Sequence, residues 1–231
     1  CESKYETIEN YDSFSAFFAR ELKEGARPMP EKTNAIASPA DGTVSSSGVI
    51  KNGALIQAKG KQYSLNSLLG LDEKIQTNYE GGSFLTIYLA PKDYHRVHAP
   101  IAGSLEHTIE IPGTLFSVNA STQNRVMNLF CRNERLSCTF TCEPGKEYSL
   151  VMVGALVVSS IETTWEGPVS PYKSQIKRDC KNIVFNQGDQ IGHFTIGSTV
   201  ILLFPKATGI LKKIITGSRI RVGDEIGVKI H

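Results

Sequence analysis

Gly188-Asp-Gln-Ile-Gly-His-Phe-Thr-Ile-Gly-Ser-Thr-Val-Ile-Leu-Leu-Phe204 is the stretch on which the reading of this chain turns. It opens with a tight turn at Gly188-Asp189 and a short apolar strand. Gly197-Ser198-Thr199 then precedes a second, wholly apolar strand, Val200 to Phe204, which belongs inside a sheet. Glycine before the hydroxyl residue frees the backbone and leaves the preceding carbonyl open to approach, with the Ser198 hydroxyl beside it. The dipeptide alone is only a bend, because Gly82-Ser83, Gly103-Ser104 and Gly217-Ser218 repeat it.

Outward from that stretch the pattern stays β. Short runs fit strands of about five residues separated by Gly, Pro and Asn. They are Val44, Leu55-Ile56, Phe84 to Leu89, Leu105 to Ile111, Phe130, Leu136 to Phe140, Ser149 to Ile161, Ile183-Val184 and the final hairpins. Helices are few. Asp12 or Ser13 caps one in which Phe14, Phe17, Phe18 and Leu22 share a face, ended by Gly25 and Pro28; Tyr63 to Leu69 is another. The first is either a packing helix or, with Arg20, Lys23 and Arg27 beside its phenylalanines, a membrane-surface helix. The expected class is mainly β (α+β): barrel-sandwich-like antiparallel sheets, a few short peripheral helices, one domain over 1–231. Two internal echoes, Pro39-Ala-Asp-Gly-Thr-Val44 with Pro100-Ile-Ala-Gly-Ser-Leu105, and Gly188-Asp-Gln-Ile-Gly192 with Gly223-Asp-Glu-Ile-Gly227, are read as turn chemistry. The second echo also occurs in barrel-sandwich carrier domains, although the lysine-bearing tip those modules need has no counterpart here.

Composition narrows the function. Lys plus Arg number 25 against 23 Asp plus Glu, a net charge of +2, which argues against a nucleic-acid platform. Five cysteines, at 1, 131, 138, 142 and 180, lack paired spacing and read as reduced thiols of a cytosol-facing protein. The longest apolar runs are of strand length, far short of the roughly 20 residues that span a bilayer. The chain shows no signal peptide and begins at Cys1, which points to a segment upstream of this sequence.

The densest polar cluster is Pro91-Lys-Asp-Tyr-His-Arg-Val-His-Ala-Pro100. A zinc site at His95-x-x-His98 would need a helix that Pro91 and Pro100 do not allow, so no metal is expected. Two independent acid–base groups suit the histidines better. Asp41 sits in the turn Ala37-Ser-Pro-Ala-Asp-Gly-Thr-Val44, where most aspartates merely bond their own backbone. Together Asp41, His98 and Ser198 supply orienter, base and nucleophile. The Gly-x-Ser-x-Gly elbow of a serine hydrolase is missing.

From end to end the chain resembles the bacterial phosphatidylserine decarboxylase family. The residues that carry the resemblance are Phe17-Phe-Ala-Arg-Glu-Leu-Lys-Glu-Gly-Ala-Arg-Pro28, Ser38-Pro-Ala-Asp-Gly42, Lys59-Gly-Lys-Gln-Tyr-Ser-Leu65 and Tyr88 to His98. Further on come Pro112 to Asn119, Asn128-Leu-Phe-Cys-Arg-Asn-Glu-Arg135, the run from Val153-Gly154 to Ser160-Ile-Glu-Thr163, and Gly192-x-Phe-x-x-Gly-Ser-Thr199. Ile196 stands where the family commonly has leucine.

The resemblance implies that Ser198, deprotonated by His98 with Asp41 orienting the ring, attacks the Gly197 carbonyl. Elimination from the resulting ester then leaves Ser198 as a covalent pyruvoyl cofactor. Self-cleavage would give 1–197 and 198–231, which stay together as a heterodimer. The pyruvoyl group would form a Schiff base with phosphatidylserine and release carbon dioxide to give phosphatidylethanolamine, with His95 handling the proton at the α-carbon. Arg96, Arg125, Arg132 or Lys59 would meet the phosphodiester. The lipid substrate implies peripheral attachment to the cytoplasmic side of the cell membrane, through the first helix and the Leu65 to Leu71 segment, and leaves room for a homo-oligomer. Two other readings stand beside this one: a pyruvoyl decarboxylase of a soluble amino acid, and a non-catalytic barrel-sandwich binding module.

Overall fold

The computed structural model describes residues 2–5, 7–57, 60–71, 76–155, 161–169, 171–195 and 198–230. Ser198–Phe204 is a strand near the middle of a nine-stranded sheet, paired antiparallel along its length with Ser83–Leu89 on one side and Lys146–Gly154 on the other. Beyond Lys146–Gly154 lie Arg135–Glu143 and then Gly103–Ile111, which pairs with both Ile176–Asp179 and Val184–Phe185; beyond Ser83–Leu89 lie Gly42–Val49 and Arg219–Ile220. Strand alternation explains why the central strand has no polar side. Val200, Leu202 and Phe204 enter one core with Leu85, Ile87, Leu89, Leu150 and Met152, while Ile201 and Leu203 enter a second with Phe84, Val151 and Val153.

Each core has its own cover. The first is closed by a four-stranded sheet in which Gln190–Phe194 lies between Ile161–Thr163 and Arg96–His98, contributing Ile161, Ile191, Phe194 and Val97. The second is closed by short helices, Leu65–Leu69 and Leu129–Arg132, which contribute Leu65, Leu68, Leu69, Leu129 and Phe130. The architecture is therefore mainly β, as expected, and among the described residues no sheet closes into a barrel.

Local departures have local causes. The first helix is Phe14–Phe18, capped by Ser13 Oγ accepting from Ala16 N–H; Leu22 lies beyond it, in a bridge to Ser3. Phe130, expected in a strand, is helical, because a short apolar run does not by itself distinguish the two states. Tyr63 belongs to a strand, Gln62–Ser64, and the helix begins only at Leu65, where Ser64 Oγ accepts from Ser67 N–H. Leu65, Leu68 and Leu69 are spent on the core, so these leucines are not free for the membrane contact expected of the Leu65 to Leu71 segment.

The sequence echoes form matched turns. Gly188 and Gly223 take φ of +89° and +90°, the left-handed region that favours glycine. Asp189 Oδ2 accepts from Asn186 N–H at 2.6 Å, and Asp224 Oδ2 from Arg221 N–H at 2.7 Å. Gly188 N–H donates to Ala99 C=O and Gly223 N–H to Ser38 C=O; in return Ala99 N–H donates to Asp189 C=O and Ser38 N–H to Asp224 C=O. The two halves thus repeat one pattern, and each repeat anchors one candidate site residue.

Candidate active site

Asp41, just ahead of Gly42–Val49, is 5 % exposed. Its Oδ1 accepts from Val222 N–H and from Arg27 Nε, each at 2.9 Å, and its Oδ2 accepts from Arg27 Nη2. Arg27 also reaches Glu2, at 3.0 Å, and with two carboxylates around it the guanidinium is held more firmly protonated than usual. In the sequence Arg27 reads only as a cation beside the first helix, and its pairing with Asp41 is not foreseen there.

His98 ends the strand Arg96–His98, opposite Gln190. Its Nδ1 lies 2.8 Å from the Gly188 carbonyl oxygen, which can only accept, so Nδ1 carries the proton. Nε2 is then an acceptor, and the Tyr94 hydroxyl donates to it at 3.0 Å. Burial pushes the Tyr94 hydroxyl up to about 12, which keeps it a donor. Burial also lowers the affinity of His98 for a proton, opposed by the Gly188 bond. In this structure a backbone carbonyl therefore orients the His98 ring, and Asp41 is engaged by Arg27. The two residues remain close: His98 N–H donates to Pro39 C=O at 2.8 Å. A cleft of about 330 Å³ at Asp41 and one of about 280 Å³ at His98 share Arg27 and Tyr94 as walls.

Ser198 begins the central strand and is fully buried. Its side chain faces the same core as Val200 and Leu202, and its Oγ has no hydrogen-bond partner among the described residues. Gly197 and Ile196 lie outside those residues. His95 Nδ1 is 2.9 Å from Asp93 C=O, so it too is protonated there, and its buried Nε2 likewise lacks a described partner. Burial holds the His95 ring down to about 4, hence neutral, with the Phe18 ring tilted against it at 3.9 Å between centroids. Phe194 N–H donates to His95 C=O, whereas His98 pairs four residues earlier at Gln190, about 13 Å along a strand. The backbone thus ties His95 to the Ser198 end of this strand pair and His98 to the far end.

The cations divide differently from the expectation. Arg96 is occupied by Ala19 C=O, Gln190 Oε1 and Glu21. Arg132 covers the Phe116 ring, Arg125 is exposed at the end of the helix Ala120–Arg125, and Lys59 lies outside the described residues. The cleft at Asp41 is instead lined by Arg20, Lys92, Arg219 and Arg221. Arg219 is bidentate on Asp93 and Arg221 meets Glu2; among the described residues Arg20 donates to the carbonyls of Lys92 and Asp93, over the Phe17 ring. The signal in the sequence was Arg20 within Phe17-Phe-Ala-Arg20.

Among the described residues no helix is long and apolar enough to cross a membrane.

Comparison with known proteins gives one answer. The family model described as phosphatidylserine decarboxylase matches residues 14–228. A phosphatidylserine decarboxylase proenzyme of Ectopseudomonas mendocina is 45 % identical over 233 residues, covering 98 % of this chain and 81 % of that protein. Proenzymes of the same name from Pseudomonas aeruginosa and Alcanivorax borkumensis are 43 % and 44 % identical, covering 96 % and 98 % of this chain and 79 % of each relative. The chain is thus an enzyme, a decarboxylase, which sets aside the reading as a non-catalytic module. A buried serine opening a doubly buried strand, two neutral histidines and a match along nearly the whole sequence lead to one conclusion: the chain belongs to the phosphatidylserine decarboxylase family.

Proposed function

We propose that this enzyme makes its own cofactor by cutting itself between Gly197 and Ser198, and that it then converts phosphatidylserine to phosphatidylethanolamine. The observation that carries the reading is the Ser198 hydroxyl: fully buried and without a partner among the described residues, at the first position of the central strand. A pyruvoyl group made from Ser198 fits the site, because the strand behind it is held by ladders on both sides and would keep the new terminus in place.

In the proposed first step His98 Nε2 takes the Ser198 Oγ proton while the oxygen attacks the Gly197 carbonyl, with Asp41 and Arg27 setting the charge beside the ring. The shift exchanges a peptide for an ester and frees the Ser198 nitrogen. His98 must leave Tyr94 to reach Ser198, so the geometry described is that of a resting state. After elimination and loss of ammonia the single domain consists of 1–197 and 198–231, held together as a heterodimer. The pyruvoyl group supplies a ketone that combines with the substrate amine and accepts the electron pair left when carbon dioxide departs.

His95 then handles protons at Nε2, since Nδ1 is fixed on Asp93 C=O. Its role is the proton at the α-carbon. Arg20 and Lys92, in the cleft beside Asp41, face the phosphodiester. The protein lies against the cytoplasmic face of the cell membrane through its amino-terminal side, where Ile8 and Phe14 are 66 % and 68 % exposed.

The test is intact mass and a denaturing gel. The unaltered protein should give pieces 1–197 and 198–231, the smaller one lighter by one ammonia than a piece beginning with serine. Ser198→Ala should remain one chain, and two pieces from that variant would refute the assignment.

A further inference from the structure

Asn133, Glu134 and Arg135 are consecutive and almost wholly buried, and two of them are spent on the backbone. Asn133 Nδ2 donates to the carbonyls of Phe116 and Gly154 at 2.7 and 2.9 Å. Arg135 donates to the carbonyls of Ser67, Leu68, Cys131 and Asn133. Glu134 differs. Its Oε2 accepts from Tyr172 N–H at 2.8 Å, but its buried Oε1 has no partner among the described residues. A carboxylate oxygen is costly to bury unpaired, and such a group calls for a reason.

Its position in the sheet supplies one. Gly154 N–H donates to Glu134 C=O at 2.9 Å, and Gly154 is the residue opposite Ser198. Neighbouring strands are about 4.8 Å apart, so the Glu134 and Ser198 backbones lie about 10 Å apart, with a residue that has no side chain between them. Leu136, Met152 and Val200, each two residues away along its strand, share one core, so Glu134 and Ser198 point to the same face. Tyr172, which holds the carboxylate, packs into that core as well.

We propose that Glu134 is the base of the elimination step, taking the α-proton of residue 198 from the ester that the self-cleavage reading requires. The Cα–H bond breaks and its proton goes to the Glu134 carboxylate. The electron pair forms the Cα=Cβ bond, and the Cβ–O bond breaks to release Gly197 as a carboxylate. His95 is the rival base on this side, but burial that holds its ring at about 4 makes it a poor proton acceptor, whereas burial pushes the Glu134 carboxyl up.

The experiment uses the full chain and reads cleavage, not decarboxylation. Glu134→Gln should form the ester and stop, staying one chain on a gel until hydroxylamine splits it into 1–197 and a piece that begins with unaltered Ser198. Ser198→Ala should give no hydroxylamine cleavage at the 197/198 junction, and Glu134→Asp should process itself slowly. Spontaneous formation of the two pieces by Glu134→Gln at the unaltered rate overturns the proposal. So does a folded Glu134→Gln chain that hydroxylamine leaves whole, and so does loss of the native circular dichroism in both the Gln and the Asp variants, which would make the residue structural. Failure of the unaltered protein to cleave would instead overturn the self-cleavage reading itself.

Discussion

Arg27 straddles the carboxylate of Asp41, its Nε 2.9 Å from Oδ1 and its Nη2 on Oδ2, and both side chains are nearly buried. Removing one partner of such a pair leaves an uncompensated charge, which costs more than the pair contributes. Arg27→Met should therefore lower stability by about 3 kcal/mol, read as a urea midpoint in the uncleavable Ser198→Ala background. Arg27→Lys should recover little of this, because an ammonium cannot reproduce the planar fork. A midpoint unmoved by Arg27→Met would show that Asp41 does not depend on it.

The Tyr94 hydroxyl occupies the lone pair that His98 would use as the proposed base. A neutral hydrogen bond is worth about 1 kcal/mol net, so Tyr94→Phe should speed the appearance of the two pieces about fivefold. Slowing by orders of magnitude would make Tyr94 a member of the relay and not its restraint.

Acid should destabilise the folded chain through its histidines. An unfolded histidine titrates near 6.5, and burial holds His95 down to about 4, with His98, His107 and His193 lowered in the same direction. Below pH 6.5 the unfolded chain therefore binds protons that the folded one refuses. Stability is complete above that pH and is lost as pH falls toward 4. His95 alone accounts for about 3 kcal/mol of that loss. Urea midpoints of Ser198→Ala taken from neutral pH downward should fall, and adding His95→Gln should flatten the fall. Midpoints that rise on acidification would contradict the sign.

What was legible in the sequence was what short-range pattern encodes. The unbroken apolar run Val200 to Phe204 marked a strand buried on both faces, and the two Gly-Asp-x-Ile-Gly segments marked turns that each close on their own aspartate. Asp41, His98, His95 and Ser198 were legible as residue types in motifs. Their partners were not. Arg27 is 14 residues from Asp41, and the Gly188 carbonyl is 90 residues from the His98 ring it orients. Contacts of that span depend on strand order, which no local spacing reports. The leucines of Leu65–Leu69 misled for a related reason: an apolar helix face reads the same whether it covers a core or a bilayer.

The strand that opens with Ser198 would also decide the fate of the two pieces if the proposed cleavage occurs. Its Leu202 and Phe204 fill one core and its Ile201 and Leu203 the other, while its backbone is laddered to Ser83–Leu89 and Lys146–Gly154. Cutting the chain before Ser198 removes one covalent link and none of these contacts. The small piece brings further strands with it: Arg219–Ile220 pairs with Gly42–Val49, and Glu225–Lys229 pairs with Ala35–Ala37. The two pieces should therefore co-elute on gel filtration under native conditions and separate only in denaturant. Leu202→Ala, which empties part of one core without touching the serine, should cost about 2–5 kcal/mol and lower the urea concentration at which the pieces part. If the pieces separated in native buffer, the central strand could not be the element that holds the processed enzyme together.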